Sequence, residues 1–118
     1  NPDVAIVDDN FVETLPAKLV ANSGMEALAH AMESYVSTMA TDFTRGWSME
    51  AIKLIFANLE KSYKGDQAAR SKMHNASTLA GMAYANAFLG VGHAIAHTLG
   101  STFNIPSLKT SNSQQYSS

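Results

Sequence analysis

Leu79–Pro106, LAGMAYANAFLGVGHAIAHTLGSTFNIP, is the stretch on which the reading of the chain turns. It carries no Asp, Glu, Lys or Arg, is rich in Ala and Gly, and holds His93 and His97. Residues four apart on a helix stand on one face, a turn apart. His93 and His97 therefore point the same way from a segment suited to close packing. Glu26 and His30, in GMEALAHAME, repeat that spacing. Two helices, each offering two candidate metal ligands on one face, form the main chemical signal.

The 118 residues suit one domain with one modest core. An apolar share of 46% is ordinary for a globular protein. The net charge is −2 and the eight Lys and Arg are scattered, which argues against a nucleic-acid partner. With no Cys, disulfides and thiolate metal sites are excluded. The opening NPDVAIVDDN has no basic region and does not read as a signal peptide. The absence of a starting Met suggests a processed chain or a fragment.

Leu79–Leu99 gives 21 residues without charge, and about 20 span a bilayer. Asn86, two His and three Gly lower its hydropathy, and no basic clusters or aromatic belts flank it. A buried central helix is expected instead, with no membrane partner.

The rest of the chain reads as helices. Val4–Val7 is a short β-branched run, a brief strand or extended arm. Phe11–Asn22 reads as a turn and a helix, with Pro16 at the first helical position and Gly24 just past the end. Met25–Ala40 reads as a separate helix whose apolar face is Leu28, Met32, Tyr35, Val36 and Met39. Ser23-Gly24-Met25-Glu26 matches a capping box, which gives Glu26 a second use. Thr41–Tyr63 reads as a helix capped by Asp42 or Thr44, with Trp47, Ala51, Leu54, Ile55 and Leu59 as its stripe. Lys64-Gly65-Asp66 closes it. Gln67 to about Leu89 reads as a long helix buried on most sides in its second half, and a short helix carries His93 and His97 to Gly100. Ser107–Ser118 is a polar, Ser-rich tail read as disordered.

Each chemical candidate has a plain structural alternative. Glu26 and His30 suit a divalent transition metal, or are a capping acid and a packed histidine. His93 and His97 suit half a metal site, or are two buried, hydrogen-bonded histidines. Ala94 follows His93, so the glutamate base of zinc proteases is missing. Together the two pairs offer up to four N/O ligands, a set that fits Fe(II) or Zn(II). His74 reads as solvated or as an outer partner. Asn75, Ser77, Thr78 and Asn86 read as bonded to nearby backbone carbonyls.

The motifs PDVAIVD, GMEALAHAMESYVS, ATDFTRGWSMEAIKL and KMHNASTLAGMAYANAFLGVGHAIAHTLG resemble the iron-containing (group III) alcohol dehydrogenases. Within that family they are most similar to the alcohol dehydrogenase half of bifunctional aldehyde-alcohol dehydrogenases. The resemblance covers about Asn1–Pro106. It implies an α/β nucleotide-binding domain followed by an all-helical domain that holds the metal. It also implies hydride transfer between NAD(P)H and an aldehyde or primary alcohol, with Fe(II) polarising the oxygen.

Carried across by position, Glu26 replaces the usual Asp ligand, His30 and His93 match ligands, and His97 matches a histidine close to the substrate. The last family ligand follows an Asn-x-Pro turn, where this chain has Ser107. The resemblance thus implies that residues 1–10 end a missing nucleotide-binding domain, 11–106 form part of the helical domain, and 107–118 are a tail. The expected fold is an all-α bundle with a strand-like N-terminal arm. The expected function is metal-dependent, NAD(P)-linked alcohol dehydrogenation, with the cofactor needing the absent domain. The isolated chain is expected to bind metal partly or not at all, to be inactive, and to associate through exposed faces. A homo-oligomer in the cytoplasm is expected. The alternative is a non-catalytic helical oligomerisation or interaction fragment.

Overall fold

A computed structural model of the protein describes residues 4–103. The tail from Ser107 and the Asn-x-Pro turn lie outside the described residues. Four α-helices follow one 3₁₀ turn at Asp9–Val12: α1 Ala17–Val36, α2 Asp42–Tyr63, α3 Gln67–Ala87 and α4 Val91–Thr102. The all-α expectation holds, with no strand among the described residues. Residues 4–7 are exposed and carry no regular structure.

Local chemistry sets the helix ends. Thr41 caps α2: its hydroxyl accepts from the Thr44 N–H at 3.3 Å, and Thr44 Oγ1 accepts from the Thr41 N–H at 2.8 Å. Asp66 caps α3 by accepting from the Ala69 N–H at 2.9 Å. Between them Gly65 takes φ +96°, a conformation that favours glycine.

Helices α1, α2 and α3 pack on one another in all three pairings. Their contact surfaces are built from small side chains. Ala27, Ile55, Met73 and Ala76 form one buried cluster, and Ala31, Ala51 and Ala80 form a second. Each of that second trio is 0% exposed, and each comes from a different helix.

Three expectations are corrected. The first concerns α1, which runs unbroken through Gly24. A Cβ at Gly24 would stand 2.4 Å from Leu59 Cδ1, so the glycine serves the approach of α2 rather than a helix end. Pro16 is the capping residue and precedes the first turn. The capping box at Ser23 is absent: the Ser23 hydroxyl donates to the Leu19 carbonyl at 2.8 Å instead.

The second concerns the α1 core face, which is Val20, Gly24, Ala27, Ala31 and Ser34. Met32 and Met39 of the expected face are 53% and 59% exposed. Small residues let the helix backbones come close; of the longer apolar side chains on the expected face only Leu28 packs against the core, and Tyr35 and Val36 are exposed with the two Met. On α2 likewise, Ser48 and Ser62 are buried with Ala51 and Ile55, while Trp47 is half-buried.

The third concerns the uncharged stretch, which is not one buried helix. Helix α3 buries a single row, Ala76, Ala80, Ala83 and Ala87, and leaves Met82, Tyr84 and Phe88 exposed. Helix α4 buries only Gly100. Among the described residues no single helix is long and apolar enough to cross a membrane, and α3 and α4, which pass that test jointly, are bent by 105°.

Two glycines give a direct check on this packing. A Cβ at Gly46, exposed on α2, would meet nothing. Gly46→Ala is therefore expected to stabilise the fold by about 0.5–1 kcal/mol. Gly24→Ala should gain less or lose, because Leu59 must move aside. Urea denaturation midpoints of the two variants measure the difference.

Candidate metal centre

Glu26 and His30 lie one turn apart on α1, and His93 lies in the first turn of α4. One ligand atom from each falls within 4.8 Å of the others, and all three residues are half-buried. Ligands about 2.0–2.2 Å from a shared cation stand about 3–4 Å apart, so small side-chain movements suffice to close the set. The donors are one carboxylate oxygen and two imidazole nitrogens, without sulfur. That set fits Fe(II) or Zn(II). Since α1 is continuous at Ser23, the carboxylate of Glu26 has no capping duty.

The His30 ring sits between two others. Its centroid is 4.5 Å from that of His93, with the planes 22° apart, and 4.6 Å from that of Tyr84. Burial, followed by the neighbouring His93, holds the His30 pKa below its ordinary value, and Glu26 and Glu33 only partly oppose this. At neutral pH the ring is thus uncharged, the form in which imidazole binds a metal.

His93 is held in place by Glu33. The Glu33 Oε1 atom lies 3.2 Å from His93 Nδ1, and Oε2 accepts from the Gly90 N–H at 2.6 Å. Burial raises the Glu33 pKa, but the hydrogen bonds to His93 and Gly90 outweigh it and leave the carboxyl below its ordinary value. The turn that carries Gly90 is unusual. Phe88 has φ 63° and ψ 173°, a region occupied almost only by glycine. Its N–H donates to the Tyr84 carbonyl at 2.8 Å, and the Ser37 hydroxyl donates to the Ala87 carbonyl. Glu33 of α1 and Ser37, just past its end, thus fix both sides of a strained turn.

The family model for the C-terminal part of the Fe-containing alcohol dehydrogenases matches residues 20–111. The chain belongs to the Fe-containing alcohol dehydrogenase family. It is 54% identical over 105 residues to aldehyde-alcohol dehydrogenase 2 of Entamoeba histolytica, covering 89% of this chain and 12% of that protein. It is 52% identical over 105 residues to the NADPH-dependent butanol dehydrogenase of Clostridium saccharobutylicum, covering 89% of this chain and 27% of that protein. The structure of the iron-containing alcohol dehydrogenase of Thermococcus thioreducens superposes with a TM-score of 0.83 at 40% identity, over 85% of this chain and 26% of that one. The chain thus spans between about an eighth and just over a quarter of these family members.

The other sequence candidates fall outside the cluster. His97 is one turn beyond His93 on α4, with ring centroids 5.8 Å apart, and is exposed. His74, on α3, lines a separate cavity of about 210 Å³ with Arg70 and Met73. Thr78 and Asn86 bond to the His74 and Met82 carbonyls, as their spacing on the helix suggested. Ser107 lies outside the described residues. Glu33 and Tyr84 were missed by the sequence reading. Glu33 had a usable signal: it lies three residues after His30 and seven after Glu26, on the same helix face.

Proposed function

We propose that this chain supplies Glu26, His30 and His93 as metal ligands in an alcohol dehydrogenase that passes hydride between NAD(P)H and an aldehyde or primary alcohol. The observation that carries the reading is the convergence of those three ligand atoms within 4.8 Å, from two helices that are far apart in sequence. The iron-containing family supports Fe(II), and the NADPH-dependent butanol dehydrogenase supports a nicotinamide cofactor and a short alcohol. A cation held there would act as a Lewis acid on the substrate oxygen.

The chain's own residues contribute binding and order. Glu26 provides the one negative charge in the ligand set, and His30, kept uncharged, provides a lone pair without added positive charge. His97 projects beyond the cluster into the open and is the candidate to meet the substrate, with a ring nitrogen able to hold or pass a proton at the alcohol oxygen. The 118 residues contain no glycine-rich dinucleotide motif, so cofactor binding and turnover belong to the longer family architecture.

A second reading, a non-catalytic helical interaction unit, draws support from the exposed apolar side chains, among them Phe43 at 78% and Phe56 at 75%. These faces suit burial by the rest of a longer chain or by a second copy. Titration of the chain with Zn(II), and anaerobically with Fe(II), separates the two readings. Saturable binding that requires His30 and His93 supports the metal centre. Absence of such binding leaves only the interaction unit.

A further inference from the structure

We propose that Glu33 is the positioning residue of this centre, one that fixes the tautomer of His93 and ties the first turn of α4 to α1. The inference rests on the metal reading above, but it concerns a residue outside the ligand set. An ionised carboxylate only accepts hydrogen bonds. With Oε1 at 3.2 Å from His93 Nδ1, the proton sits on Nδ1, which in the neutral ring leaves the Nε2 lone pair free for a cation. The other oxygen takes the Gly90 N–H, so the two oxygens serve two donors on opposite sides of one helical turn.

The backbone around the acid is cleared for it. A Cβ at Gly92 would lie 2.7 Å from Oε1, and one at Gly90 would lie 3.2 Å from Oε2. The carboxylate also sits at the N-terminus of α4, where the helix dipole favours negative charge. Helix α4 has no other extensive packing on the bundle, so this clasp governs where His93 stands relative to His30. Phe88 supports the point. Its glycine-like backbone is kept only because the turn is held from several directions.

Glu33→Gln tests the assignment in the 118-residue chain. Glutamine keeps one acceptor oxygen and replaces the other with an NH2 donor, so it no longer enforces the Nδ1 proton: with its oxygen on the Gly90 N–H, its amide donates to a deprotonated His93 Nδ1. In metal-free protein, imidazole ¹⁵N NMR should show His93 protonated at Nδ1 in the wild type and a mixture of tautomers in the variant. Zn(II) affinity should fall by about 10–100-fold, with the helical circular dichroism retained. Gly92→Ala is the second variant. It raises helix propensity yet pushes on Oε1, and it should shift the same NMR signals and weaken zinc in the same direction.

A purely structural Glu33 would lower the melting temperature without moving the His93 tautomer. If both variants keep the wild-type tautomer and zinc affinity, the assignment of Glu33 is overturned while the metal centre stands. If the wild type takes up no zinc, the metal centre falls and this inference with it.

Discussion

Replacing both His30 and His93 by alanine is expected to lower Zn(II) affinity by well over the about 100-fold that loss of an outer partner typically costs. The two substitutions together remove both nitrogen donors and leave Glu26 as a lone carboxylate, which holds a divalent cation weakly. Single variants should each show a large part of the loss, because a three-donor site has no spare ligand. His74→Ala is the internal control: it lines a different cavity and should leave affinity unchanged. His97→Ala is more informative. Its ring is close to His93 but outside the cluster, so affinity should be nearly retained. Isothermal titration calorimetry on these five variants and the wild type decides the matter. Equal affinity of the double variant and the wild type would remove Glu26, His30 and His93 as ligands. A collapse in His97→Ala as large as in His93→Ala would place His97 in the first coordination sphere instead.

Much of the site could be read from sequence because its signal is local. Glu26 and His30 share a helix at a fixed spacing, and His93 stands in an uncharged segment where an unpartnered imidazole is costly. The partners of Glu33, by contrast, lie 57 and 60 residues away, and no local pattern marks them. The same division holds for the fold. Thr41, Gly65 and Asp66 mark helix ends through bonds to their immediate neighbours, and those ends were legible to within a residue or two. Gly24 misled because glycine near the end of a helical pattern has two uses. Here a side chain from α2 fills the space that a Cβ would occupy, which is a tertiary fact.

The misread core face has a related cause. Leu28, Met32, Tyr35, Val36 and Met39 carry the larger hydrophobic surface on α1, and periodicity rewards size. Burial among α1, α2 and α3 instead rewards smallness, because three backbones approach along one seam. Leu28 packs against the edge of the Ala27–Ile55 cluster, and Met32, Tyr35, Val36 and Met39 lie on the outside, where a longer chain or a second copy would cover them. The uncharged stretch failed as a guide to burial for the same reason. Its alanines are buried on α3, but the 105° bend carries α4 away from the seam and leaves it bound to the bundle chiefly through the site.

Ala80→Leu is accordingly expected to be among the most damaging single changes in the protein, although it adds a good helix former. Ala80 meets Ala31 and Ala51 where all three helices converge, and none of the three has any exposed surface. Three extra carbons there must push α3 away from α1 and α2. Overpacking of this kind costs about 1–3 kcal/mol where a core can adjust, and more where backbone lines the gap. Each kcal/mol corresponds to about 4–8 °C in melting temperature for a domain of 60–100 residues. The displacement would also reach the site, since Ala31 follows His30 on α1 and the ring of Tyr84, one turn beyond Ala80 on α3, lies tilted against the His30 ring with centroids 4.6 Å apart. Zinc affinity should therefore fall along with stability. Met39→Ser is the opposing case. It removes a large apolar side chain that is 59% exposed, and it should shift stability by no more than about 0.5 kcal/mol. Thermal melts followed by circular dichroism compare the two directly. If Met39→Ser unfolds the chain while Ala80→Leu melts like the wild type, the long apolar face is the core after all, and the seam of small residues does not organise the bundle.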